Sequence, residues 1–146
     1  MSDFRQVSDS FWASPQIGIS DVAEAKTRGI VLIVNNRPEG EADDQVPGAE
    51  IEAAARAAGL DYLAIPVTHA GFSEDQVRTM ADAIDAAEGP ILGYCRSGTR
   101  STLLWSLAQA LRGRAPDAIA ADAARAGYDV APIRSLLEML ASRPGA

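Results

Sequence analysis

One short stretch, GYCRSGTRS from Gly93 to Ser101, concentrates the residue types that could do chemistry. Cys95 is the only cysteine of the chain, and the six residues after it are Arg96, Ser97, Gly98, Thr99, Arg100 and Ser101. A lone cysteine closing a buried strand is ordinarily a small inert hydrophobe. An inert cysteine has no need of six polar or glycine neighbours, so Cys95 reads as a nucleophile. Successive backbone N–H groups in such a turn can converge on an anion, and a helix beginning there adds partial positive charge. That field favours thiolate over thiol, and Arg96 and Arg100 strengthen it. Gly98 lets the backbone turn tightly or approach a bound group closely. Arg100 offers a planar fork that matches two oxygens of an oxyanion.

The elements that must hold this loop follow from periodicity. Short β-branched runs predict strands over 11–14, 30–35, 62–67 and 90–95. Between them, alanine-rich segments predict helices over 20–28, 48–58 and 73–88. Each is followed by a glycine (Gly29, Gly59, Gly89) able to take the left-handed C-terminal position, and Ser73-Glu74-Asp75-Gln76 is a capping-box pattern. The β-α-β-α order predicts an α/β fold: one domain over 1–146 with a mostly parallel central sheet flanked by helices on both faces. After Cys95, Leu103, Leu104, Leu107, Ala108 and Leu111 fall on one stripe of a helix over 101–111, and further helices are expected over 116–126 and 132–141, separated by Gly127. The C-terminal third is therefore helical. Strand, loop, helix places Cys95 at the carboxyl edge of the sheet, where open α/β folds bind ligands.

Composition narrows the partners. The apolar fraction of 47% and the absence of low-complexity tracts indicate a folded domain. A formal net charge of −7 repels phosphate backbones and anionic lipid, so neither nucleic acid nor membrane is an expected partner. The opening residues carry no basic start with an apolar run, and no stretch has the length of a membrane span, so the cytoplasm is the expected location. One cysteine excludes an internal disulfide, and with the single histidine, His69, it cannot make a zinc cage. No metal or cofactor is expected, and the expected partner is a small anionic molecule, phosphorylated or able to donate sulfur.

The loop C-R-S-G-x-R-S resembles that of single-domain rhodaneses, and also a shortened form of the protein-tyrosine-phosphatase loop C-x-x-x-x-x-R. The segments FWASPQIGISDVAEAKTRGI, VLIVNNRPEGE, DYLAIPV, GPILGYCRSGTRSTLLW and AGYD resemble the bacterial phosphatase-like domain of beta-lactamase-hydrolase-like proteins. That family is described both as phosphatases and as sulfurtransferases. The resemblance implies a compact protein-tyrosine-phosphatase-like α/β domain with Cys95 as nucleophile and Arg100 as the anion-binding residue. It also implies a role for Ser101, the residue after the loop arginine, in hydrogen-bonding the cysteine sulfur and helping it leave.

Two reactions then compete. A cysteine phosphatase forms a phosphocysteine at Cys95, with donors for the phosphate oxygens and an acid for the leaving alcohol. In the related phosphatases that acid is an aspartate in the loop before the nucleophile strand; here the corresponding segment, 66–72, has none, only His69, with Glu74 and Asp75 at the next helix start. A sulfurtransferase needs no acid: Cys95 carries a persulfide whose terminal sulfur the loop stabilises. The phosphatase is placed first on the breadth of the resemblance, the sulfurtransferase second, and a non-catalytic anion-binding or redox-sensing domain third. Arg37 ends the second strand and either reaches the anion or braces its own loop. Glu39, Glu41, Asp43 and Asp44 read as a solvated acidic loop. Trp12 and Trp105 read as packing residues.

Overall fold

The structure, a computed structural model, describes residues 2–143. Five strands, β1 (Arg5–Ser8), β2 (Phe11–Ser14), β3 (Leu32–Asn35), β4 (Asp61–Ala64) and β5 (Ile91–Tyr94), form one sheet in the order β1-β2-β5-β3-β4. The helices are α1 (Ile19–Thr27), α2 (Gly48–Ala57), α3 (Glu74–Ala86), α4 (Thr99–Leu111), α5 (Pro116–Arg125) and α6 (Arg134–Ala141), the last entered through a 3-10 turn at Ala131–Ile133. β2, β5, β3 and β4 run parallel, as the alternating order predicts. β1 pairs antiparallel with β2 and was not expected: its sequence, RQVS, buries only Val7, so it carries almost no alternation to read.

The central strands β3 and β5 are buried at every position because helices cover both faces. On one face, Val22 and Ala25 of α1 and Ile51 and Ala55 of α2 pack with Ile33 and Leu92. On the other, α4 lies against the sheet, and its Leu104 and Leu107 cluster with Phe11, Val34 and Ile91. α3, α5 and α6 cover α4 from outside, burying it from Ser101 to Ala110. Each fully buried leucine contributes about 1.5–3 kcal/mol, so α4 is the hydrophobic axis of this half. Its Trp105 ring stacks on Phe11 with centroids 5.4 Å apart. A Cβ at Gly93 would sit 2.9 Å from the Phe11 ring and 3.2 Å from Ser101 Cβ, so glycine there lets α4 close onto β5.

The expected capping box at α3 is present, with Ser73 Oγ accepting from Gln76 N–H at 3.1 Å and Gln76 Oε1 accepting from Ser73 N–H at 2.9 Å. Gly29 and Gly59 take the left-handed conformation, with φ 83° at each. Gly89 does not; α3 ends at Ala86 on an extended Ala87, and Gly89 instead makes room for Val31, whose Cγ1 would lie 2.8 Å from an added Cβ.

In a parallel arrangement the segments leaving β2, β3, β4 and β5 all emerge at one edge. Those segments are 15–18, 36–47, 65–73 and 95–98. Because β5 lies between β2 and β3, its loop sits in the middle of the four.

Candidate active site

Cys95 follows β5 directly and is fully buried. Its N–H donates to Ser14 O at 3.3 Å, which ties the start of the loop to the end of β2. The chain reverses at Gly98, with φ 91° and ψ −12°, and the Gly98 N–H donates to Cys95 Sγ at 3.1 Å. Gly98 O accepts the Thr102 N–H at 3.0 Å and the Thr102 hydroxyl at 2.9 Å, opening α4. The sulfur therefore lies at the N-terminus of a buried thirteen-residue helix, where backbone N–H groups and the helix dipole favour negative charge. Arg96, Ser97 and Thr99 project to solvent around it, and the Ser97 hydroxyl donates to Thr99 Oγ1 at 3.1 Å.

Arg100, in the first turn of α4, is gripped by Glu41. Its Nη1 donates to Glu41 Oε2 and its Nη2 to Glu41 Oε1, each at 2.8 Å, while Nη1 also donates to Val67 O at 2.8 Å. Three of the five guanidinium hydrogens are thereby used. The two that remain, on Nε and Nη2, lie along one edge of the fork, the geometry that matches two oxygens of an oxyanion. The Glu41 carboxylate raises the Arg100 pKa, and the guanidinium is close enough to Cys95 to couple to its charge.

Glu41 also accepts from Arg37 Nε at 3.0 Å, and Arg37 Nη1 donates to Gln16 Oε1 at 2.9 Å. Arg37 is 5% exposed and, through these bonds, braces the loop that carries Glu41. Arg100 first, and Arg37 with it, hold the Glu41 carboxyl at about 2. The acidic loop is thus not simply solvated. Gln45 Oε1 accepts from the Glu41 N–H at 2.9 Å, Gln45 Nε2 donates to Pro38 O at 2.9 Å, and the Glu39 carboxylate accepts from the Gly48 N–H at 2.9 Å at the start of α2.

Ser101 lies in the first turn of α4, and its hydroxyl donates to Asn36 Oδ1 at 2.7 Å; Asn36 Nδ2 in turn donates to Ile65 O at 2.9 Å. Both residues are buried. The single hydroxyl hydrogen of Ser101 is thereby committed to Asn36 and not to the cysteine sulfur. His69 is exposed in the turn of the 65–73 segment, and its ring makes no hydrogen bond among the described residues. Glu74 pairs with Arg143 and Arg78, and its carboxyl is lowered chiefly by Arg143.

Two residues that the sequence reading passed over belong to this site. Glu41 was grouped with a solvated acidic run, and only its spacing of four from Arg37 hinted at a partner. Tyr128 lies after α5, and its hydroxyl donates to Ser97 O at 3.3 Å. Among the described residues, no three of the His, Cys, Asp and Glu side chains gather as a metal site, and no helix is long and apolar enough to cross a membrane.

The family described as beta-lactamase hydrolase-like protein, phosphatase-like domain, matches residues 3–112. The chain belongs to this family. The beta-lactamase hydrolase-like protein of Agrobacterium fabrum is 34% identical over 109 residues, which is 75% of this chain and 25% of that protein; the chain thus matches about a quarter of the relative's length. Among solved structures, the candidate phosphatase nma1982 of Neisseria meningitidis z2491 superposes with a TM-score of 0.80 at 32% identity, covering 93% of this chain and 96% of that one. TpbA of P. aeruginosa, solved in complex with pTyr, has a TM-score of 0.60 at 17% identity over 97% of this chain and 91% of its own. The neighbours are tyrosine-phosphatase-like, so the phosphatase-like domain has the α/β fold that the alternation of elements predicts.

Proposed function

We propose that the domain is a cysteine-dependent phosphatase acting on phosphate monoesters. The observation that carries this reading is the meeting of the Cys95 sulfur, the Gly98 N–H and the open edge of Arg100 at the N-terminus of α4. Cys95 attacks phosphorus, a sulfur–phosphorus bond forms as the ester bond breaks, and the leaving oxygen takes a proton from solvent; water then cleaves the phosphocysteine, releasing phosphate and restoring the thiolate. The loop N–H groups and Arg100 stabilise the charge on the phosphoryl oxygens. A neighbour of the same fold holds phosphotyrosine, which favours an aryl phosphate as the first substrate to try. Arg96 is the one arginine with no carboxylate partner among the described residues, and as an exposed cation beside Cys95 it suits a substrate with a second anionic group.

One observation favours a sulfurtransferase as the second reading. A phosphatase benefits from an acid, yet Glu41 is ionised and bound to two arginines, Glu74 is paired, and His69 stands in solvent. A poor acid supply matters little when a thiosulfate S–S bond breaks, sulfite leaves and Cys95 keeps the sulfane sulfur as a persulfide.

The deciding experiment incubates the purified protein separately with an aryl phosphate and with thiosulfate, following phosphate release and the intact mass at Cys95. Phosphate release that Cys95→Ser abolishes supports the phosphatase. A stable sulfur adduct on Cys95 with no phosphate release supports the sulfurtransferase and overturns the first reading. Neither outcome would leave an anion-binding or sensing domain.

A further inference from the structure

The peptide that joins Ser97 to Gly98 serves two neighbours at once. Its N–H donates to Cys95 Sγ at 3.1 Å, and its carbonyl accepts from the Tyr128 hydroxyl at 3.3 Å. The peptide is trans, so its C=O and N–H point in opposite directions, and fixing one aims the other. Tyr128 comes from the connection between α5 and the 3-10 turn, 31 residues further along the chain. Its side chain is itself held: the Arg5 guanidinium lies over its ring, 5.6 Å from the centroid, and Arg5 is hydrogen-bonded to Asp3 at 3.4 Å.

We propose that Tyr128 is a positioning residue that locks the Ser97–Gly98 peptide with its N–H turned toward Cys95, so that a thiolate and any oxyanion bound beside it meet a donor and not a carbonyl.

The need for a lock follows from Gly98. Its φ of 91° and ψ of −12° are those of the third residue of a type II turn, and the type I alternative differs by rotation of the peptide plane before it. Glycine accepts both forms without steric cost, so residue 98 does not by itself choose between them. The rotated peptide would point Ser97 O at the sulfur and withdraw the N–H, replacing attraction by repulsion in a buried place. The Tyr128 hydroxyl selects the observed form by giving Ser97 O a donor on the outer side. Burial raises the Tyr128 pKa and the Cys95 charge raises it further, against the lowering effect of Arg5, so the phenol remains a donor. The charged and titratable groups around the sulfur are then the exposed Arg96 next to it in the chain, Arg100, with Glu41 behind it, and Tyr128, with Arg5 and Asp3 behind it. Tyr128 packs so closely here that position 98 takes only glycine: a Cβ there would collide with Tyr128 Oη, lie 3.1 Å from Tyr128 Cζ and lie 3.4 Å from the Ser14 carbonyl carbon.

The lock is a property of the loop, whereas its benefit to catalysis rests on the reading of Cys95 as nucleophile. The test therefore uses Tyr128→Phe, which keeps the ring, and measures the full chain without any substrate. Amide hydrogen exchange by NMR compares the Gly98 N–H with the Thr102 N–H, which donates to Gly98 O at 3.0 Å and reports on the helix start. The expected result is Gly98 exchange faster by about tenfold with Thr102 unchanged. Alkylation of Cys95 by iodoacetamide at neutral pH should slow by about tenfold in the same variant. Unchanged Gly98 exchange, unchanged alkylation, or equal acceleration at Gly98 and Thr102 would overturn the proposal, the last because it marks simple fraying. Should the wild-type protein release no phosphate from an aryl phosphate while these effects hold, the phosphatase reading falls and the lock stands.

Discussion

The carboxylate of Glu41 and the guanidinium of Arg100, 59 residues apart in sequence, are joined by two parallel hydrogen bonds of 2.8 Å. The pair fixes the plane of the fork while leaving its other edge open. Replacing Glu41 with glutamine keeps the size but removes the charge and one acceptor, so Arg100 loses its fixed plane. Turnover of an aryl phosphate is expected to fall in kcat/KM by about 10–100-fold, the scale of one charge-assisted hydrogen bond. Steady-state kinetics of Glu41→Gln against wild type measures it, and an unchanged kcat/KM would remove Glu41 from the site.

The same pair has a signature in pH. The Glu41 carboxyl is lowered from 4.5 to about 2, so its ionised form stabilises the folded state fully above pH 4.5 and that stability disappears as pH falls toward 2. The contribution is on the order of 2–3 kcal/mol. Thermal melts between pH 2 and 6 should show wild type losing stability more steeply than Glu41→Gln in that window, with the two curves parallel above it.

Cys95→Ser exchanges sulfur for a smaller oxygen that can still accept the Gly98 N–H. The fold should survive with a change of about 1 kcal/mol or less, while turnover drops by orders of magnitude. Urea unfolding and activity on one preparation separate the two effects.

Ser101→Ala leaves Asn36 Oδ1 buried without its donor. An unsatisfied buried group costs about 1–3 kcal/mol, and the loss should appear in urea midpoints. Because the hydroxyl hydrogen goes to Asn36, double substitution with Asn36→Ala should cost less than the sum of the single changes.

Gly98→Ala meets two obstacles, a φ of 91° and the ring of Tyr128. Together they should cost about 1–3 kcal/mol and displace the Gly98 N–H from Cys95. The expected outcome is a lower melting temperature together with slower Cys95 alkylation; a variant that melts and alkylates like wild type would show that the turn does not need glycine.

Cys95 and its neighbours are legible in the sequence because the loop, its glycine and its helix are consecutive. The parallel sheet was legible for a similar reason, since alternation of element types is a local signal. Glu41 was not, because its role exists only once β3 and β5 lie side by side and bring the 36–47 segment over α4. A run of four acids beside glycine looks like solvent-facing chain until a buried arginine appears next to it. Tyr128 was hidden likewise, one aromatic residue in a helical region, aimed at a loop 31 residues earlier. Arg37 could be read either way from sequence; its 5% exposure and its bonds to Glu41 and Gln16 show that it braces its own loop.

The burial of α4 from Ser101 to Ala110 ties the reactive end of the molecule to its global cooperativity. Many enzymes carry their working groups on segments that open at low energy while the rest stays folded. Here the helix that begins at the Cys95 loop is also the innermost one, so unfolding it dismantles the core, and only the loop peptides before it can move on their own. Heat loss of any aryl-phosphate activity and loss of helical signal are expected to follow one curve in a thermal scan read by both.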